Sequence, residues 1–176
     1  DYVTDLRTLL QLSVEGGVLR GYPFALNEVA VLKRDNASMI AVQVAVDGQS
    51  LTTYQADGVI VSTPTGSTGY ALSVGGPVMS PHSHSISITA VAPHSLGIRP
   101  VVLPDDHELR LTVTGRTTHF LVSIDGRSEA LPEGTTLTLT QAPYTIGILR
   151  DPQHTFFSTL RQKLGWGTAL DELSAQ

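Results

Sequence analysis

The sequence contains no cysteine, which excludes a disulfide framework and thiolate metal sites and fits a reducing, cytoplasmic setting. Charge is also sparse: Asp, Glu, Lys and Arg make up 15% of the chain, the formal net charge is −5, and the cationic residues are scattered rather than clustered. No basic stripe suited to a phosphate backbone results, so nucleic acid is excluded as a partner and a small-molecule ligand is expected. No apolar run approaches the roughly 20 residues that span a bilayer, so no membrane partner is expected either. The chain opens at Asp1 without a methionine or a charged-then-apolar leader, which reads as a piece of a longer chain rather than a signal peptide.

What is present is enough for a substantial core: 176 residues, 41% of them hydrophobic. Period-two alternation dominates, as a half-buried strand requires. Ile40, Val42, Val44 and Val46 share one face, Asp47-Gly48 supplies a tight turn, and Leu51 to Gln55 runs back. Leu109, Leu111 and Val113 mark another strand, Phe120, Val122 and Ile124 the next, and Leu137 with Leu139 a further one, with Asp125-Gly126 turning a second hairpin. Val59–Ser62 and Ile86–Val91 are continuously apolar or small, as in strands covered on both faces, and are expected to lie centrally.

Helix signals are few. One short segment begins near Ser67 and stops at Gly75-Gly76-Pro77, and a terminal one carries Phe156, Leu160 and Leu164 at four-residue spacing before Gly165. The expected fold is mainly β: a two-layer, sandwich-like domain of many short antiparallel strands with one or two short helices. The tail after Trp166 is expected to be loosely ordered.

Three segments offer chemistry. From Ala56 to Tyr70 the chain passes from a buried strand through Thr65-Gly66-Ser67-Thr68-Gly69 into a helix start, where backbone amides are free to donate and hydroxyls stand close by. Taken alone, helix capping by Ser67 or Thr68, with the glycines shaping a turn, is the favoured explanation. The segment lacks the lysine of a P-loop, and Thr65 stands where a nucleophile elbow needs its first glycine, so a serine hydrolase is disfavoured. Asn27-Glu28 places an amide, able to pair with a base edge, beside a carboxylate able to accept from ribose hydroxyls; a surface dipeptide at a strand edge is the bland alternative. Ser123-Ile124-Asp125-Gly126 is by itself an ordinary hairpin turn. The six histidines are His82, His84, His94, His107, His119 and His154; the His82/His84 pair reads as exposed loop residues in a polar turn, because no nearby carboxylate completes a zinc set around it.

In identity, order and spacing these segments together resemble the NAD kinase family. Asn27-Glu28 is similar to its Asn-Glu motif. Asp57-Gly58, followed by Ser62-Thr63-Pro64-Thr65-Gly66-Ser67-Thr68-Gly69-Tyr70 and closed by Gly75-Gly76-Pro77, is similar to its long signature. The resemblance runs from about Val14 to Trp166 and marks residues 1–176 as the carboxy-terminal NAD-binding and oligomerisation domain. It implies transfer of the terminal phosphate of ATP, with a divalent metal that is usually Mg²⁺, to the 2′-hydroxyl of the adenosine ribose of NAD, giving NADP. The family's Gly-Gly-Asp-Gly motif, with the aspartate proposed as general base, belongs to an amino-terminal α/β domain, and no Gly-Gly-Asp occurs in this sequence. The chain is therefore expected to hold no catalytic residue and to be inactive alone.

By the same resemblance Asn27 and Glu28 contact the adenosine part of NAD, Asp57 anchors the nicotinamide side, and Thr65, Thr68, Gly69 and Tyr70 surround the adenine. Ser73 and Ala92 belong to the same pocket wall. Asp125 matches an aspartate that approaches the NAD site from a neighbouring subunit, which implies a homo-oligomer, a dimer or tetramer. Gly69 departs from the alanine many relatives carry, a change between two small residues. Two alternatives stand beside this reading: a non-catalytic NAD or adenylate sensor, and a lipid-kinase-like relative with a different acceptor.

Overall fold

The structure, a computed structural model, describes residues 2–34, 39–115 and 118–166. The strand-rich expectation holds. Among these residues twelve strands form two six-stranded sheets, and helix is confined to one 3₁₀ turn and two short α-helices. The first sheet runs in the order β2 (Phe24–Ala25), β1 (Val3–Glu15), β12 (Thr136–Arg150), β9 (Leu109–Thr114), β4 (Ile40–Val46) and β5 (Gln49–Ala56). The second runs β11 (Arg127–Pro132), β10 (His119–Ile124), β3 (Glu28–Lys33), β6 (Gly58–Ser62), β7 (Ser85–Val91) and β8 (Val101–Pro104).

Both Asp-Gly hairpins form where the alternation places them. Asp47 and Gly48 sit at φ 48° and 76°, and Asp125 and Gly126 at 47° and 81°, the paired positive values that match the twist of a two-residue hairpin. Each turn is flanked by directly paired residues, Val46 with Gln49 and Ile124 with Arg127.

The alternating side chains of the two sheets meet in one core. Val42, Val44, Leu109, Leu111, Val113, Leu137 and Leu139 of the first sheet pack against Val29, Val31, Val59, Val61, Ile88, Phe120 and Val122 of the second. Burying a side chain of this size contributes about 1.5–3 kcal/mol, so this interface is the main source of stability. β6 is buried along its whole length, as its continuous apolar run requires, because its outer face is covered as well. There Ala30 and Ile60 meet Ala71 of α1 (Tyr70–Ser73), with Leu32, Val74 and Val91 around them.

Helix α1 ends where the glycines place the stop. Gly75 takes φ +85°, its N–H reaches the Leu72 carbonyl at 3.0 Å, and the Gly76 N–H reaches the Ala71 carbonyl at 2.8 Å, a Schellman-type closure.

Residues Arg7–Ile146 form one compact unit that contains this core. The second unit comprises Asp1–Leu6 and Gly147–Gln176. It carries the terminal helix α2 (Phe156–Leu164), which opens on a reciprocal capping box between Thr155 and Ser158 and closes on left-handed Gly165. The tail after Trp166 lies outside the described residues.

Candidate functional site

The pairing of β3 with β6 brings the separated motifs together. Glu28 stands opposite Ser62, so the Asn27-Glu28 entry into β3 lies beside the point where the chain leaves β6 for the Thr63–Tyr70 turn. The fit is close. A Cβ on Gly66 would overlap the Asn27 carbonyl, so only glycine lets the turn approach this nearly.

The backbone of residues 26–28 is satisfied throughout. The N–H groups of Leu26, Asn27 and Glu28 donate to the Asp125 carboxylate at 2.7, 2.8 and 3.0 Å. On the acceptor side, the Thr63 hydroxyl donates to the carbonyls of Leu26 and Asn27, the Thr63 N–H donates to Asn27 at 2.9 Å, and the Asp125 N–H donates to Glu28 at 3.1 Å. Thr63 is buried and its hydroxyl also accepts from the Gly66 N–H at 3.2 Å, which ties the turn to the same point. With the backbone fixed in this way, the side chains of Asn27 and Glu28 remain without a hydrogen bond to the described residues.

Glu28 is a half-buried carboxylate whose Oε2 has no partner. Its pKa is raised above the ordinary value of 4.5, first by loss of water and second by the nearby Asp125 charge. A half-buried carboxylate with an unpartnered oxygen and a raised pKa makes Glu28 a candidate binding group.

The hydroxyls of the turn divide by role. Ser67 is fully buried; it donates to the Pro64 carbonyl at 2.7 Å and accepts from the Met79 N–H at 3.0 Å, so it pins the returning chain. Neither the 3₁₀ turn (Gly66–Thr68) nor α1 has a side-chain cap, so capping does not account for these hydroxyls. Thr68 is exposed and makes no hydrogen bond to the described residues. Thr65 is half-buried and meets Arg7 Nη1 only at 3.5 Å, the outer limit for such a bond. Tyr70 is 39% exposed, and Ser73 donates locally to the Tyr70 carbonyl at 2.7 Å. A Cβ on Gly69 would stand 3.4 Å from Glu28 Oε2 and 3.2 Å from the Gly66 carbonyl, which an alanine can meet with a shift of a few tenths of an ångström.

Asp57 and Ala92 lie apart from these residues, at the other end of β6. Asp57 N–H donates to Val91 at 2.9 Å, and its carboxylate pairs with Lys33 Nζ at 2.8 Å; Ala92 follows with φ 45°. Five residue rises along β3 and β6 separate the two groups, about 17 Å. The intervening outer face carries Ala30 and Ile60.

Asp125, assigned by resemblance to a neighbouring subunit's site, is brought to the Asn27-Glu28 turn of its own chain. Thr63 and Lys33 were not singled out by sequence reasoning. Gly66 carried a signal, as a glycine between hydroxyl residues that lets a partner come close, and that partner is the Asn27 backbone. His82, His84, His94 and His154 are exposed, His107 and His119 half-buried, and no group of three His, Asp or Glu residues converges on a metal position among the described residues.

The ATP-NAD kinase C-terminal domain model matches residues 26–150, a span that begins at the clamped turn and contains both polar groups. The chain belongs to that family. An NAD kinase of Bacteroides fragilis is 53% identical over 166 residues, which is 94% of this chain and 57% of the relative. The chain thus spans little more than half the length of the relatives it matches. A yeast NADH kinase complexed with NADH shares the fold, with a TM-score of 0.85 at 24% identity over 93% of this chain and 51% of that one. An NAD kinase from Archaeoglobus fulgidus in complex with ATP gives a TM-score of 0.73 at 28% identity, covering 85% of this chain and 56% of that one. Membership of the ATP-NAD kinase C-terminal domain family accounts for the order of the motifs along the chain. It also accounts for the scarcity of helix.

Proposed function

We propose that the protein to which this chain belongs transfers the terminal phosphate of ATP to the 2′-hydroxyl of the adenosine ribose of NAD, giving NADP, and that this chain supplies the NAD-binding and subunit-interface domain. The observation that carries the reading is the pair of unengaged side chains, Asn27 and Glu28, held on a fully hydrogen-bonded backbone beside the exposed Thr68 and Tyr70. In this reading the Asn27 amide meets the adenosine, Glu28 accepts from its ribose, and Thr65, Thr68, Gly69, Tyr70 and Ser73 surround the base. Asp57 and Ala92, about 17 Å along the strands, take the nicotinamide end.

Phosphoryl transfer depends chiefly on positioning and on neutralising charge. This chain positions the acceptor. The aspartate that takes the hydroxyl proton and the glycines that cradle the donor's phosphates would come from an amino-terminal α/β domain carrying Gly-Gly-Asp-Gly. A divalent metal, usually Mg²⁺, accompanies ATP in the same reading; no ligand set for it forms among the described residues, and no step of this chain is assigned to it. The active form is a cytoplasmic homo-oligomer, a dimer or tetramer, and no helix among the described residues is long and apolar enough to cross a membrane.

The test is an assay of this chain and of the full-length protein with NAD, ATP and Mg²⁺. NADP formation by the full-length protein alone is expected. Turnover by the short chain contradicts the division of labour, and NAD binding without turnover by the full-length protein favours a sensor. Exclusive binding of a short-chain diacylglycerol points to a lipid acceptor.

A further inference from the structure

The hairpin joining β10 to β11 closes over the start of β3. Its turn residue Asp125 adopts φ +47°, as the first position of a two-residue Asp-Gly hairpin requires, and its carboxylate lies across the start of β3. Both oxygens are engaged: Oδ1 accepts from the N–H groups of Asn27 and Glu28, and Oδ2 from that of Leu26. Two residues on, Arg127 donates from Nη2 to the Phe24 carbonyl at 3.1 Å, from Nε to the Ile124 carbonyl at 3.1 Å, and lies 5.7 Å from the ring centre of Tyr22. The hairpin therefore grips residues 24–28 by amides and a carbonyl at once. From the other side Thr63 takes the carbonyls of Leu26 and Asn27, so the turn is held from both strands that flank β3, β10 and β6.

A carboxylate accepting several backbone N–H groups makes charge-assisted bonds, among the stronger ones available to a folded chain. Holding the 26–28 backbone before ligand arrives removes the ordering entropy that binding would otherwise have to supply. Resting on the NAD-binding reading above, we propose that Asp125 is a positioning residue that acts within its own chain: its carboxylate fixes the Leu26–Glu28 backbone so that the Asn27 and Glu28 side chains are aimed at the acceptor nucleotide before it binds.

A residue that touches the ligand leaves the free protein unchanged when removed, whereas a clamp releases three amides in the absence of any ligand. Asp125→Ala and Asp125→Asn are compared with wild type in the full-length protein, first by amide hydrogen exchange without nucleotide, then by steady-state kinetics. In Asp125→Ala the amides of Leu26, Asn27 and Glu28 exchange at least about tenfold faster, while those of Val31 and Val59 keep their protection. KM for NAD rises about tenfold or more, with KM for ATP and kcat at saturation within about twofold of wild type. Asp125→Asn keeps one acceptor oxygen for Asn27 and Glu28 and gives an intermediate result in both measurements, which also serves if the alanine variant fails to fold.

Unchanged protection at residues 26–28 in both variants overturns the proposal. So does faster exchange spread evenly through β3 and β6, or released amides with an unchanged KM for NAD. If wild type binds no NAD and the three amides are nevertheless released in Asp125→Ala, the functional reading fails while the clamp itself stands.

Discussion

Asn27→Ala separates binding from folding more cleanly than any other change in this chain. The Asn27 backbone is held through its N–H by Asp125 and through its carbonyl by the Thr63 N–H and hydroxyl, and none of these bonds uses the side chain. Alanine keeps all of them and leaves no cavity in the core, so the folded state should melt within a degree or two of wild type, the expectation for a half-buried site carrying no intramolecular side-chain bond. What is lost is the amide's pairing with the nucleotide. One or two hydrogen bonds to a partner left unpaired correspond to about 1–3 kcal/mol, or roughly 5- to 150-fold in Kd. Titration calorimetry with NAD on the full-length protein measures the second quantity, and a thermal melt without ligand the first. A lowered melting temperature with unchanged affinity per folded molecule would refute the reasoning and return Asn27 to a purely structural role.

Other substitutions probe the surroundings of that residue. Gly66→Ala forces a methyl against the Asn27 carbonyl and should destabilise the fold by about 1–3 kcal/mol in chemical denaturation, while weakening NAD binding; a neutral outcome would mean that the turn does not sit where it is described. Tyr70→Ala removes a ring that is 39% exposed, so it should leave the melting temperature nearly unchanged and weaken NAD binding through lost stacking. Glu28→Gln should stabilise the ligand-free protein at neutral pH. The carboxyl's folded pKa is raised, so its favourable contribution is complete below the ordinary value of 4.5 and is lost as pH rises through the elevated folded value. The gain in melting temperature should therefore vanish on acidification below that ordinary value, and a gain independent of pH would contradict the assigned cause.

Much of the fold was legible because one face of most strands is buried and the other is not. Val42, Val44, Leu109, Leu111 and Val113 alternate cleanly, and the Asp-Gly pairs at 47–48 and 125–126 sit where the alternation needs its turns. β1 was illegible for a physical reason: Leu9 and Leu10 are adjacent and both buried, so the period-two signal is broken along the middle of the strand. In β12 the alternation ends near Ala142, and the strand continues through exposed residues such as Tyr144 and Ile146 that carry no burial pattern. Partnership is likewise invisible in one dimension. The motifs named Asn27, Glu28 and Asp125, but only the pairing of β10 with β3 shows that Asp125 meets the other two through their backbone. Thr63 was hidden by its neighbours, one hydroxyl among several, until its burial and its bonds to residues 26 and 27 set it apart.

A crystal structure of the full-length protein with NAD bound bears most directly on whether the clamped turn is an adenosine site. The adenosine is expected between Tyr70 and the Asn27-Glu28 turn, with the ribose hydroxyls on the Glu28 carboxylate and the nicotinamide toward Asp57 and Ala92. NAD bound on another surface, with the Asn27 and Glu28 side chains still unengaged, would contradict it.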